Sequence, residues 1–363
     1  MKYGFDNLLI NDREIFDTIY SQQQKLPNSK LYELCRNRGI LLSPYEDRET
    51  LATYIANLYY DWNSIKNLLE QINHDDKSNK ITSSVLHIDD LTKIKEVLKE
   101  ISPEFERNQI SVKNDGKSKV EVNMTTSKVE LNKTRMIQRP LKDQTIILEK
   151  QDDKVIIRHN SDDAIKPFVE RLIKETSMKV GKSIIPENID LQEIILPEFR
   201  NNFFQKLMLL DPALYDLNDV KRIRVHHNTH GSQEIILEDE ESSIKSALLS
   251  GKSLHTNGMY KELKKLGHYI TEITWVTKNL KDNIAIEINA GFENPKLCTG
   301  FFYDVKWFYK FSKRTNGFVK DPTKFKPTEK AKLNAYFDKT SNKIFKDITK
   351  EYNASLNQDG GMT

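Results

Sequence analysis

Residues 26–58, LPNSKLYELCRNRGILLSPYEDRETLATYIANL, form the stretch that decides the amino-terminal fold. Its first part carries apolar residues at helical spacing, namely Leu31, Leu34 and Cys35. Gly39 follows them as a helix stop, and Asn28 or Ser29 stands where a side chain can cap the helix start. This part therefore predicts one short helix.

Helical spacing returns after an extended connector that contains Pro44. The apolar positions of this second part are Leu51, Tyr54, Ile55 and Leu58. Two helices of this length bury little apolar surface by themselves. We therefore expect the pair to pack on other helices, and Leu8 to Tyr20 and Trp62 to Ile72 have the amphipathic spacing for this.

The pattern resembles the SAP domain, a small helix-extended-helix module that binds duplex DNA. The matching positions are Leu26, Leu31, Leu34, Arg38, Gly39, Ile40, Leu51, Ile55 and Leu58. The match covers about a tenth of the chain. It departs from the family in a slightly longer connector and in Glu46 and Asp47, which stand where the family tends to carry Gly and Lys, so that only Arg48 keeps the expected charge.

The resemblance implies that this module binds DNA. The phosphate-contacting groups would then be Lys30, Arg36, Arg38 and Arg48, because phosphate neutralisation supplies most non-specific affinity. The alternative is a helical hairpin that docks on the rest of the protein or on a protein partner.

The whole chain is an α+β protein by its pattern. At 363 residues it has length for two or three domains, at roughly 150 residues each. We expect a helical SAP-like module over 1–76, then two mixed domains of helices and antiparallel sheet over 81–180 and 185–352, with a polar linker near 75–80.

Composition excludes several classes of protein. No apolar run reaches the roughly 18 residues of a membrane span, and the amino terminus carries acids where a signal peptide is apolar, so we expect a cytoplasmic protein without a membrane partner. The two cysteines, Cys35 and Cys298, lie far apart on apolar segments, which argues against a disulfide framework or a thiolate metal site. Abundant Lys, Asn and Ile are typical of AT-rich coding DNA, from which we infer a bacterial source.

Positive charge is concentrated near the carboxyl end. Between Lys306 and Lys350, thirteen Lys or Arg residues face four acids, although the whole chain has a net charge of only +3. Aromatic residues alternate with this charge, a combination typical of nucleic-acid surfaces. The predicted DNA contacts here are Lys310, Lys313, Arg314, Lys320, Lys324 and Lys326, and the alternative is a solvated lysine-rich face or a site for an acidic protein.

One segment carries a possible enzyme motif. Asp304 and Lys306 are two residues apart on a predicted strand and so share a face, and Glu287 lies within the preceding strand. The order helix, three strands, helix resembles the core of the PD-(D/E)xK nucleases, which would imply metal-dependent catalysis by Glu287, Asp304 and Lys306. The alternative is a salt-bridged surface strand.

Two weaker motifs carry no function. Residues 250–253, SGKS, lack the earlier glycine of a phosphate-binding loop and lie in what reads as a helix over 242–267. His226, His227 and His230 lie at a predicted hairpin tip, where neighbouring strand residues point to opposite faces. We therefore expect neither a cofactor nor a resident metal.

Together these patterns indicate a DNA-binding accessory or sensor subunit of a bacterial DNA-associated complex, with antiviral defence as one hypothesis for its role. The rival hypotheses are a metal-dependent nuclease and a protein-docking scaffold. The predicted partners are DNA and a protein of the same complex.

Overall fold

The structure, a computed structural model, describes residues 10–73, 80–88, 90–108, 110–114, 118–127, 129–138, 141–151, 153–227, 246–251 and 258–359. Within these ranges the chain forms nine α-helices and eleven strands, and every strand pair with a defined register is antiparallel. The predicted α+β class, with helices at the amino end, is confirmed.

The α-helices are α1 (Asp12–Ser21), α2 (Asn28–Asn37), α3 (Arg48–Ala56), α4 (Trp62–Asn73), α5 (Leu91–Ile101), α6 (Lys166–Val180), α7 (Pro197–Leu209), α8 (Gly258–Lys265) and α9 (Pro327–Asp359). The strands are β1 (Ile81–Leu86), β2 (Ser111–Asn114), β3 (Lys119–Ser127), β4 (Leu141–Gln151), β5 (Lys154–Asn160), β6 (Tyr215–His227), β7 (Ser246–Ser250), β8 (His268–Asn279), β9 (Ile284–Asn294), β10 (Thr299–Ser312) and β11 (Gly317–Phe318).

The chain divides into two compact units, each built from separate segments. The first unit comprises Met1–Ser78, Asp90–Leu148 and Asp162–Ile184, and the second comprises Asn79–Asp89, Glu149–Ser161 and Ile185–Thr363. This division differs from the three predicted domains, because β1 pairs with β5 along its length and with β10 at Ile81. Strand β5, which lies within the predicted middle domain, therefore belongs to the second unit.

The helices α1 to α4 of the first unit enclose an apolar core. Its buried members include Leu31 and Cys35 of α2 and Leu51 and Ile55 of α3, all at most 1% exposed. The helix-extended-helix arrangement predicted from residues 26–58, hereafter the helical pair, is thus present. The apolar residues from which it was predicted are the ones that pack its two helices into this core.

Gly39 ends α2 as expected, with its backbone in the left-handed region at φ +74. Its N–H donates to the Arg36 carbonyl at 2.9 Å, and the Ile40 N–H reaches back to the Cys35 carbonyl at 2.9 Å, which satisfies two carbonyls of the last turn. The predicted cap at the start of α2 is wrong. Asn28 already lies within the helix and Pro27 is the cap residue, whose hydrocarbon ring has no atom that can accept a hydrogen bond.

Three further segments differ from what their sequence pattern indicates. The alternation in residues 128–132, KVELN, is typical of a strand, but their described part forms no strand and leads into the 3-10 helix Arg135–Ile137. The predicted helix over 242–267 is wrong at Ser246–Ser250, which pairs with β6 as an edge strand. Strand β1 was not predicted, because the polar Thr82, Ser83 and Ser84 hide its alternation.

In the second unit the strands lie in the order β5-β1-β10-β9-β8-β6-β7, with β11 beside β10. Helices α7 and α9 share a core with alternate residues of this sheet. The buried ring of Trp275 packs 6.2 Å from Phe337 of α9, and that of Tyr303 packs 4.7 Å from Phe337. One face of β8, β9 and β10 is therefore apolar.

A buried ion pair fixes α9 against β5. The Arg158 guanidinium donates to carboxylates of Asp338 and Glu149, and Arg158 and Asp338 are 5% and 0% exposed. Breaking such a pair leaves an uncompensated buried charge, which is strongly destabilising. This pair therefore sets the position of the helix along the strand.

Arg48 connects the helices of the first unit. Its guanidinium donates to the carbonyls of Ile19, Tyr20 and Leu26, the last two at 3.2 and 2.9 Å, and to Asn28 Oδ1 at 3.1 Å. The carbonyls lie at the end of α1 and in the segment before α2, whereas Arg48 opens α3. One side chain thus ties three elements together.

We expect Arg48→Ala to lower the free energy of unfolding by about 2 kcal/mol, since it leaves carbonyls without their charged donor. Arg48→Lys should recover little, because an ammonium cannot reproduce the planar fork of donors. Thermal and urea denaturation followed by circular dichroism measure the change. Arg36→Ala on the exposed face of α2 is the matched control, and equal stability of the Arg36 and Arg48 variants would contradict the assignment.

Candidate nucleic-acid interface

The carboxyl end of β10 continues into a hairpin that carries the predicted basic residues. The chain turns after Ser312, returns as β11 and runs beside β10, with the Val319 N–H donating to the Lys310 carbonyl at 2.9 Å. Phe308 and Thr323 then exchange backbone hydrogen bonds at 2.8 and 3.0 Å. Residues 306–326 are called the basic hairpin below.

Charge on the basic hairpin is strongly one-sided. It contains seven Lys or Arg residues and a single acid, Asp321. The six predicted DNA contacts are all exposed: Lys310, Lys313, Arg314, Lys320, Lys324 and Lys326. None of the six forms an ion pair with another described residue, so their charges are available to a ligand.

Two rings of the hairpin belong to the core of the second unit. Phe308 and Phe325 pack against that core, with their ring centroids 4.9 Å apart. They anchor the two arms of the hairpin to the sheet. The exposed cations between them are thereby held on a fixed backbone.

The helical pair presents a smaller set of cations. Lys30, Arg36 and Arg38 are exposed on or just after α2, and neither Lys30 nor Arg36 forms an ion pair with a described residue. Arg38 stacks over the Tyr60 ring at 4.3 Å and donates to the Tyr59 carbonyl at 2.9 Å, which holds its guanidinium on the surface. Arg48, by contrast, directs its donors at the backbone carbonyls described above.

Strands β8, β9 and β10 have a polar face opposite the apolar face that packs on α7 and α9. Register places Thr274 opposite Asn289, and Asn289 opposite Asp304, across β8, β9 and β10. Glu272 and Glu287 occupy the neighbouring rows of the same face. These five residues are called the polar sheet face below. Hydrogen bonds of 3.1 Å join three of them, from Thr274 to Asn289 and from Asn289 to Glu272.

Glu287 is the most tightly held carboxylate of the polar sheet face. It accepts from Lys221 Nζ at 2.5 Å and from the Tyr309 hydroxyl at 2.7 Å, and Lys306 Nζ lies 3.8 Å away. Burial raises the pKa of Glu287, but these hydrogen bonds and charges outweigh it and hold the pKa below the ordinary 4.5. The residue is therefore ionised and paired.

Asp304 titrates in the opposite direction. Burial is the leading cause, and it raises the pKa above the ordinary 3.8 despite the Lys330 ammonium 3.3 Å away and the charges of Lys306 and Lys80. Glu287 and Asp304 thus share one face and differ in environment. Their pKa values differ because the partners of Glu287 outweigh its burial, whereas the partners of Asp304 do not.

The register brings the three residues of the nuclease hypothesis onto one side of the sheet. Asp304 is one row away from Glu287, and Lys306 sits at an irregularity between Val305 and Trp307 where the β9 register shifts. Each acid already has an ammonium partner. In the part of the chain that the structure describes, no group of three His, Cys, Asp or Glu side chains is placed to hold a metal.

Sequence reasoning missed the partners of these acids. Lys221 and Tyr309 lie 66 and 22 residues from Glu287 along the chain. Glu272 pairs with Lys80, from the segment before β1, at 3.8 Å and with Arg224, from β6, at 3.1 Å. Pairing at this separation depends on register, which alternation does not fix. The available signal was the polar residue at every second position of β8 and β9.

No described histidine belongs to a group of side chains placed to hold a metal. His227 lies 4.9 Å from His268 between ring centroids, and burial followed by the charges of His227, His268, Lys296 and Arg200 lowers the pKa of His226. Lower pKa values keep a histidine neutral, as expected of a packed residue. His230, Lys252 and Ser253 lie outside the described residues.

No protein-family model matches the chain, and no curated protein matches its sequence. Among the helices that the structure describes, none has the length and apolar character needed to cross a membrane.

The opposite pKa shifts predict opposite effects of neutral isosteres. Because the pKa of Glu287 is lowered, its stabilisation is present above pH 4.5 and is lost as the pH falls through the lowered value. Glu287→Gln should therefore cost about 1 to 2 kcal/mol at pH 7 and almost nothing in acid. The raised pKa of Asp304 means that its ionisation opposes folding above pH 3.8, so Asp304→Asn should leave stability at pH 7 unchanged or higher.

Urea denaturation of both variants and of the unaltered protein across the acid range measures these differences. A Glu287→Gln protein as stable as the parent at pH 7 would contradict the pairing described for that carboxylate.

Proposed function

We propose that the protein is a DNA-binding accessory or sensor subunit of a bacterial DNA-associated complex. The observation that carries this proposal is the basic hairpin, whose six predicted contacts are exposed and lack ion pairs to described residues. Phosphate neutralisation by such groups supplies non-specific affinity for nucleic acid. Lys30, Arg36 and Arg38 of the helical pair supply a second cationic surface of the kind that the SAP resemblance implies.

Most of the affinity of these surfaces for DNA should be independent of base sequence. Lysines on a hairpin contact phosphates and not base edges, so the affinity should fall steeply with salt. Within a larger assembly, a subunit of this kind would hold the assembly on DNA or detect the presence of DNA. Antiviral defence is one hypothesis for the role of that assembly. The protein partner is expected to confer the assembly's activity.

We expect fluorescence anisotropy with a labelled duplex to show binding at about 50 mM salt that weakens strongly by about 200 mM. Replacing Lys313, Arg314 and Lys320 by Ala should weaken binding at least tenfold and make the slope of log affinity against log salt shallower by about 2 to 3. The matched control replaces three exposed lysines of the first unit, Lys99, Lys174 and Lys182, which changes net charge equally. Absence of duplex binding by the folded protein, or equal loss in both triple variants, would overturn the proposal.

The helical pair is tested separately by Lys30→Ala, Arg36→Ala and Arg38→Ala combined. Weaker DNA binding supports a SAP-like role. An unchanged isotherm favours the scaffold hypothesis, in which the pair docks a protein through its exposed apolar side chains Leu41, Tyr45 and Tyr59, which are 85%, 94% and 89% exposed.

A metal-dependent nuclease is the second candidate function. The specific observation in its favour is that Glu287 and Asp304 share a sheet face, with Lys306 Nζ 3.8 Å from Glu287. A nuclease of this kind places two acids around a metal that is open to water and to the scissile phosphate. Here Lys221 and Tyr309 donate hydrogen bonds to the Glu287 carboxylate, and Lys330 donates to the Asp304 carboxylate, in the places where a metal would bind.

We therefore expect no cleavage of plasmid DNA by this chain alone with Mg²⁺ or Mn²⁺. The measurement is gel analysis of supercoiled plasmid, with Asp304→Asn and Glu287→Gln run in parallel. Cleavage by the parent that both variants abolish would make the nuclease the preferred function, whereas cleavage that persists in both indicates a contaminating enzyme.

A further inference from the structure

The aromatic residues of the basic hairpin are divided between the two faces of β10. Phe308 packs on the core side, whereas Tyr309 bonds Glu287 on the polar side, so that the rings flanking Phe308 point away from the core. The rings on the polar side are Trp307, Tyr309, Phe311 and, across the ladder from Phe311, Phe318. These four half-buried residues are called the aromatic row.

The aromatic row is regular and held in place. Side chains two apart on a strand lie about 7 Å from one another, so Trp307, Tyr309 and Phe311 present three rings in sequence. Hydrogen bonds from the Tyr309 hydroxyl to Glu287 and from Lys221 to Tyr309 fix the central ring, with Lys221 Nζ 4.7 Å from its centroid. Phe318 packs edge-on against Phe311 at 5.6 Å, which fixes the end of the row.

Cations surround these rings. Lys313 and Arg314 are exposed in the turn beyond Phe311, whereas Lys221 and Lys306, on the same side of the sheet as the row, are paired with Glu287. The combination provides a positive environment for a phosphate backbone and flat apolar surfaces at its centre. An acidic protein would satisfy the charges but has no requirement for a row of planar rings.

We propose that the aromatic row binds the unpaired bases of a single-stranded nucleic acid, whose phosphates are neutralised by the basic hairpin. The inference rests on the proposed role of the hairpin as a nucleic-acid surface and specifies the class of ligand. Base pairing in a duplex keeps the flat faces of the bases stacked on one another, whereas a single strand can offer each face to a protein ring. DNA and RNA single strands share this chemistry.

The test compares three labelled ligands by anisotropy at one salt concentration: oligo(dT), oligo(U) and a duplex of equal length. Trp307→Ala should weaken single-strand binding about 5- to 150-fold, which is the loss of one stacked base at about 1 to 3 kcal/mol. Duplex affinity should change less than about twofold, because phosphate contacts remain. Trp307→Phe keeps a ring and should restore most of the single-strand affinity.

Tyr20→Ala is the matched control, since it removes a 47% exposed ring from α1, which lies outside the helical pair. It should leave all three affinities unchanged, and circular dichroism of each variant confirms folding. Binding of only one of the two single strands supports the proposal and identifies the sugar that is recognised.

Several results would overturn the proposal. Equal losses for single strand and duplex in Trp307→Ala, or full single-strand affinity in that variant, would exclude stacking on the row. Duplex binding without single-strand binding would reject this inference and leave the proposed DNA-binding function intact, whereas absence of all binding would reject both.

Discussion

Alternation of side chains along β8, β9 and β10 is the constraint on which the second unit depends. Residues on one face pack against α7 and α9, and the residues between them must then point to the other face. Glu287, Asn289 and Asp304 are all less than 10% exposed there, and buried polar groups of this kind require hydrogen-bonding partners. The lysines that surround them are therefore part of the fold as well as part of a surface.

The second unit therefore has two kinds of lysine, those paired with buried carboxylates and those exposed without such a partner. Lys221, Lys306 and Lys330 neutralise carboxylates, so they contribute little net field. The six exposed cations of the basic hairpin have no such described partner, so no carboxylate among the described residues offsets their charge. Counting lysines in the carboxyl-terminal sequence does not make this distinction.

Sequence predicted the elements whose signal is local. Helices α2, α3 and α4 follow from apolar spacing within about a dozen residues, and β8 to β10 follow from β-branched and aromatic runs. Strands β1 and β7 were missed because their polar residues mask the period and because partners distant in sequence stabilise them. Arg48 shows the same limit at a candidate site, since only the three-dimensional arrangement brings the carbonyls of Ile19 and Leu26 to its guanidinium.

The register shift at Lys306 has a consequence for the evolution of this strand. Core residues fall at Tyr303 and Val305 and then at Phe308, an odd interval that a regular strand cannot produce. The extra residue acts as a phase change, after which even-numbered and odd-numbered side chains exchange faces. A strand that continued regularly through Lys306 would instead turn Trp307 and Tyr309 inward and Phe308 outward without altering any of them. The identity of the surface is thus encoded in the register of the strand as much as in its amino acids, so an insertion that shifts this register would change the surface more than most substitutions.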